Sequence, residues 1–304
     1  NLHKLTDLGQ SVWLDYISRS LITSGELREL IDKGIRGVTS NPTIFEKAFI
    51  EGLDYDQQLQ KLVAQGKSVD EIYEALVFED IARAADLLRL VYDATEGKDG
   101  YVSLEVNPAL AYDTTGTVAQ AWRLFNTLRR PNVMIKVPAT PPGIPAVESL
   151  ISRGVNVNVT LIFSQAQYEA VPEAYIAGLE EIAAAGGDVT KVASVASIFV
   201  SRTDTVVDKL LETVGETDLR GKIAVASAKL VYARSREIFN GARWEKLASE
   251  GARVQRPLWA STGTKNPHYS DTLYVDNLIG PDTVNTLPTA TLQAFLDHGV
   301  VRQT

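Results

Sequence analysis

The sequence predicts an α/β protein folded as a single (β/α)8, TIM-type barrel over residues 1–304, with a helical insertion after the second strand. Three observations lead there. About eight short β-type runs alternate with longer helical stretches, as parallel strands joined by crossover helices do. A doubly wound sheet wants a G-x-G-x-x-G turn after its first strand, and neither that turn nor a P-loop is present. No stretch rich in Pro, Gly or Ser marks a domain boundary.

The elements follow in order. SVWLDYI (11–17) reads as a strand, and SGELRELIDKG (24–34) as a helix with Ser24 as N-cap and Gly34 just past its end. IRGVTSNP (35–42) is the second strand, stopped by proline. Residues 43–93 are almost wholly helical and form the insertion before YVSLEVNPA (101–109). A helix over 117–130 leads to NVMIKVP (132–138), and a helix over 145–153 leads to VNVNVTLIF (155–163). Ser164 with Gln167 three residues on is a capping-box signature for a helix to about Ala185. KVASVASIF (191–199), further helix to about Glu250, RPLWASTG (256–263) and DTVNTLP (282–288) complete the series.

Composition narrows the function. The chain is 45% hydrophobic and 22% charged, with ample material for a large core. It contains no cysteine, which excludes disulfides, thiolate catalysis and cysteine-ligated zinc. His3, His268 and His298 lack metal-ligand spacing, so no metal is expected. A net charge of −8 argues against a nucleic-acid or anionic-membrane surface, and an anionic substrate would need a local cationic cluster. No apolar run reaches membrane-span length and no signal-peptide pattern opens the chain; cytoplasm is the expected compartment. The insertion has room to serve as a homo-oligomer contact or as a lid, and its sequence favours neither.

Strand alternation then locates the chemistry. Neighbouring strand residues point to opposite sides, and in a barrel the outer side packs on helices. Over 133–137, Val133, Ile135 and Val137 form the outer row and leave Met134 and Lys136 inside. Val102, Leu104 and Val106 oppose Ser103, Glu105 and Asn107. Val155, Val157, Val159 and Leu161 oppose Asn156, Asn158 and Thr160. Val12, Leu14 and Tyr16 oppose Trp13, Asp15 and Ile17, and Leu258 and Ala260 oppose Trp259 and Ser261. An antiparallel sheet with one wet face alternates too, but five such runs separated by helices fit the barrel better. Lys136, Glu105, Asp15 and Asn158 would then converge in one interior, where an unpaired charge is costly. Two readings of Lys136 stand at this point. Burial disfavours the charged form of an amine, leaving a nucleophile able to form a Schiff base with a ketone. Alternatively, Lys136 pairs with Glu105 as structural filler.

The stretches VTSNPTIF (38–45), SLEVNPALAYD (103–113), VMIKVPATPPGIPAVESL (133–150), GVNVNVTLIFSQAQ (154–167), SVASIFVSRTD (194–204) and WASTGTKNP (259–267) resemble the transaldolases. The resemblance covers essentially the whole chain and is closest to the longer bacterial subgroup. It implies a (β/α)8 barrel of the non-oxidative pentose phosphate pathway that needs no cofactor. The implied reaction moves a dihydroxyacetone unit from sedoheptulose 7-phosphate to glyceraldehyde 3-phosphate, giving erythrose 4-phosphate and fructose 6-phosphate. By the same resemblance Lys136 forms the Schiff base and Asp15 shuttles the proton of the C4 hydroxyl. Glu105 acts through a water that Thr160 helps to hold. Asn41 and Asn158, with Ser197 beside them, hold hydroxyls of the three-carbon unit, and Arg202 and Ser261 bind phosphate. The chain departs from the family pattern at Asn107, where many members have Asp, and in the longer loop 262–266, where Lys265 stands in for a phosphate-binding arginine. Arg19 reads as a further phosphate contact or as a solvated loop residue. Tyr269, Asp271, Tyr274 and Asp276 follow the phosphate loop and read as loop surface first and as substrate contacts second.

Overall fold

The computed structural model describes residues 2–304. Eight strands close into a barrel in sequence order, each parallel to its neighbours. They are β1 (Gln10–Leu14), β2 (Ile35–Val38), β3 (Tyr101–Glu105), β4 (Val133–Pro138), β5 (Val157–Ile162), β6 (Ser194–Phe199), β7 (Arg256–Ala260) and β8 (Thr283–Leu287). β8 closes on β1, with Ser11 opposite Val284 and Leu14 opposite Leu287. The insertion between β2 and β3 holds the helices Pro42–Glu51, Asp56–Ala64 and Val69–Ala94. Among the described residues no helix is long and apolar enough to cross a membrane.

Local chemistry sets the helix starts. Ser68 and Glu71 cap the long insertion helix reciprocally: Ser68 Oγ accepts from the Glu71 amide at 3.3 Å, and Glu71 Oε2 accepts from the Ser68 amide at 2.9 Å. Ser164 caps Gln165–Ala184 by accepting from the Gln167 amide, but the Gln167 side chain reaches one residue further back, to the Phe163 amide at 2.9 Å. Ser24 is a correction. It ends the short helix Arg19–Thr23, and Gly25, at φ +89°, caps Glu26–Lys33 instead.

The outer rows of β3 and β4 are as expected. Val102, Leu104, Val133, Ile135 and Val137 are buried in the main core against the helices. Inside, Trp13, Tyr101, Met134, Val195, Leu258 and Val284 form an apolar plug. Trp13 lies over Gly37, where a Cβ would come within 2.5 Å of the indole, so only glycine fits. Arg256 pairs with Asp99 at 2.9 Å and donates to Ser11 at 2.7 Å, close to the N-terminal end of the barrel. A pocket of about 290 Å³ remains at this end, lined in part by Tyr101, Met134 and Arg256, and a larger space lies at the C-terminal end, where barrels of this kind carry their sites.

Several facing expectations fail, some because alternation is interrupted and one because its sense is reversed. β7 has the opposite sense: Leu258 and Ala260 face the interior, while Trp259 packs outside and donates to the Leu278 carbonyl at 3.0 Å. Ser261 reaches the mouth only because it adopts a left-handed φ of +54° just past the strand end. Leu161 leaves the outer row of β5, since a register shift between Val159 and Ile162 and a φ of +63° turn it to the cavity. β1 stops at Leu14, so alternation ends there and Ile17 joins the outer core.

Arg19 is neither solvated nor a phosphate contact. It is buried, donates to the fully buried Asp80 at 2.8 Å, and lies over the Tyr55 ring at 4.8 Å. Tyr55 donates to the other Asp80 oxygen at 2.8 Å and accepts from the Arg19 amide. The network ties the insertion to the loop after β1, because a buried carboxylate is tolerable only when its oxygens are paired.

Candidate active site

A cavity of about 520 Å³ opens where the strands end. Lys136, Asp15, Glu105 and Thr160 line it, as do Asn41, Ser197, Arg202, Ser261 and Lys265. Asn158 lies beneath these lining residues.

Lys136 and Glu105 are register partners on β4 and β3, so the pleat brings both side chains to the same side. Lys136 Nζ lies 3.1 Å from Glu105 Oε2 and donates to the Ser40 carbonyl at 3.0 Å. Only 7% of Lys136 is exposed. Below it, Ser197 Oγ donates to Asn158 Oδ1 at 2.6 Å and Asn158 Nδ2 donates to Ser103 Oγ at 3.1 Å. This hydrogen-bonded layer fixes the rotamer of a fully buried amide.

Asp15 follows β1, with its backbone amide still bonded to the Leu287 carbonyl at 2.8 Å. Thr39 donates to Asp15 Oδ1 at 2.7 Å, and the Thr39 and Thr286 hydroxyls lie 2.6 Å apart. Burial pushes the Asp15 pKa up from the ordinary carboxylate value; Lys136 and the Thr39 hydrogen bond pull it part of the way back. A carboxyl held in this way suits proton exchange with a bound hydroxyl.

Asn41 is the N-cap of Pro42–Glu51, accepting from the Ile44 amide at 3.0 Å. No hydrogen bond engages its amide NH2 among the described residues. Arg202 stacks over Phe199 at 5.1 Å, and Ser261 Oγ lies 3.0 Å from Ser201 Oγ. Neither Arg202 nor Lys265 forms a salt bridge among the described residues, though Lys265 is near enough to Asp15 to help draw that carboxyl's pKa down. The loop carrying Lys265 is latched to the helix carrying Arg202: Tyr269 donates to Asp208 at 2.7 Å and Tyr274 to Asp204 at 2.8 Å. Those tyrosines do not line the cavity, and Tyr274 is buried rather than loop surface. Asp271 pairs with His298 at 2.8 Å.

The arrangement combines an enclosed amine, a carboxylate in contact with it, a second carboxyl nearby and unpaired cations at the rim. Such a set can condense with a ketone, move protons and hold an anion. A model of the transaldolase/fructose-6-phosphate aldolase family matches residues 12–304. The chain belongs to that family. It is 55% identical to a transaldolase of Saccharopolyspora erythraea, over 99% of this chain and 82% of the relative. It is 54% identical to a transaldolase of Thermobifida fusca over 99% of this chain and 83% of the relative. A transaldolase of Trichodesmium erythraeum is 50% identical over 98% and 82% of the two chains.

One departure of this chain from the transaldolase pattern lies outside the cavity. Asn107 caps the short turn Pro108–Leu110, accepting from the Ala109 amide at 2.9 Å, and is not a lining residue. Sequence reasoning missed Thr39, Thr286, Phe199 and Lys47, all of which line the cavity. Thr39 extends the inner row that Gly37 begins, and Thr286 alternates with Val284, so a stricter period-2 reading of those runs would have found both. Phe199 follows Ser197 on β6 by the same rule. Lys47 lies on a helix and left no strand signal.

Proposed function

We propose that the chain is a transaldolase acting on sugar phosphates through a Schiff base on Lys136. The Lys136 amine, its proton passed to Glu105, attacks the C2 carbonyl of a ketose phosphate. Glu105, through a water held beside Thr160, protonates the departing hydroxyl, so the carbinolamine becomes an imine and releases water. Asp15 takes the proton of the C4 hydroxyl, the C3–C4 bond breaks, and its electron pair moves into the imine to give an enamine. The aldose phosphate leaves. When a second aldose phosphate arrives, the enamine carbon attacks its aldehyde, Asp15 returns the proton, and water hydrolyses the new imine.

In this reading Asn41, Asn158 and Ser197 hold the hydroxyls of the three-carbon unit, while Arg202, Ser261 and Lys265 hold the phosphate. Sedoheptulose 7-phosphate and glyceraldehyde 3-phosphate are the expected substrates, erythrose 4-phosphate and fructose 6-phosphate the products, in the cytoplasmic non-oxidative pentose phosphate pathway. The observation that carries it is the enclosed Lys136–Glu105 contact in the same cavity as Asp15. Product analysis tests it. With both substrates, fructose 6-phosphate and erythrose 4-phosphate should form in equal amounts. With acceptor omitted, free dihydroxyacetone should not accumulate; its steady release would make the chain an aldolase instead.

A further inference from the structure

The rim carries one cation to which no role has been given. Lys47 follows β2, in the second turn of Pro42–Glu51, and is an exposed residue lining the cavity. Among the described residues it forms no ion pair, even with Glu51 four residues on. Arg202 follows β6 and Lys265 follows β7. In a closed barrel of eight strands in sequence order, β2 stands opposite β6. Lys47 and the other two cations therefore flank the mouth from opposite sides. Deeper in the cavity Lys136 is matched by Glu105, and Asp15 lies within the electrostatic reach of Lys136 and Lys265, which leaves Lys47 and Arg202 as lining cations with no carboxylate paired to them among the described residues.

We propose that Lys47 captures the phosphate of an aldose phosphate while one aldose is exchanged for another. The inference rests on the transaldolase reading and adds a residue to it. That reaction leaves the three-carbon unit on Lys136 as the first aldose phosphate departs and the second arrives, both through this mouth. The placement of Lys47 across the mouth from Arg202 gives the two sides successive roles in this proposal. Lys47 receives the phosphate in transit, before Arg202, Ser261 and Lys265 hold it for reaction. One unpaired charge beside the path of a dianion changes its capture about two- to fivefold at low ionic strength, and salt screens the effect over ~8 Å at physiological strength.

The test uses fructose 6-phosphate as donor and compares erythrose 4-phosphate with unphosphorylated erythrose as acceptor, over a series of ionic strengths. The quantity read is the ratio of kcat/KM for the two acceptors. In Lys47→Gln this preference should fall about two- to fivefold, through KM more than kcat, with a shallower dependence on salt. Lys47→Glu should lower it further and Lys47→Arg should restore most of it. An unchanged preference and salt slope, or equal losses on both acceptors, would overturn the role of Lys47. If the unsubstituted protein transfers to neither acceptor, the transaldolase reading itself fails.

Discussion

Lys136 Nζ and Glu105 Oε2 lie 3.1 Å apart, joined across the register of β4 and β3, with the Ser40 carbonyl as the amine's other partner. The contact serves both fold and chemistry. It balances the charges in a mostly buried pair and gives the amine a neighbour that can take its proton.

Glu105→Gln should slow imine formation by roughly a hundredfold, since the amide cannot move the proton. Glu105→Ala should in addition lower stability by about 3 kcal/mol, because Lys136 then keeps only the Ser40 carbonyl. Trapping rates with fructose 6-phosphate and urea midpoints at constant m-value would separate the two effects.

Asp15 opposes function and stability. Its pKa is raised on folding, so its contribution is fully present below the ordinary value of 3.8 and is lost as pH rises through the higher folded value. Asp15→Asn cannot ionise and should unfold on the order of 3 °C higher at neutral pH, with the gap closing as pH falls towards 4. The same variant should still form the imine yet lose cleavage by about a hundredfold or more. Thermal melts across pH, paired with single-turnover cleavage, check both.

Thr39→Val should move the acid limb of kcat/KM to higher pH. The Thr39 hydrogen bond favours the ionised form of Asp15, and its removal leaves burial less opposed. A pH–rate profile that does not shift, or shifts downward, would separate Asp15 from the limb.

Arg19→Ala should destabilise the fold by about 3–5 kcal/mol, since it leaves Asp80 buried with Tyr55 as its remaining partner. Arg19→Ala combined with Asp80→Leu should recover part of that loss. Denaturant unfolding of both variants reads the difference.

Much of the site was legible in the sequence because strand alternation is a rigid rule. Lys136, Glu105 and Thr160 sit where period 2 puts them, and Asp15 follows one step past β1. In β7 the alternation held and only its sense was reversed, since both rows of Leu258, Trp259 and Ala260 are apolar. The rule failed at Ser261 and Leu161, where the backbone left the extended region. Ser261 and Leu161 have positive φ, which a sequence of ordinary residues does not announce, and one such residue shifts every later side chain. Arg19 was misread for another reason. Its partner Asp80 lies 61 positions away, on a helix whose docking no local pattern reveals. Lys47 shared that obscurity, since a helical lysine resembles any other until the barrel closes.

The most direct measurement is borohydride reduction in the presence of fructose 6-phosphate, followed by mass spectrometry of the intact chain and its peptides. One stable three-carbon adduct should appear on Lys136 and be absent from Lys136→Ala. An adduct on another lysine, or none while transfer proceeds, would contradict the Schiff-base mechanism.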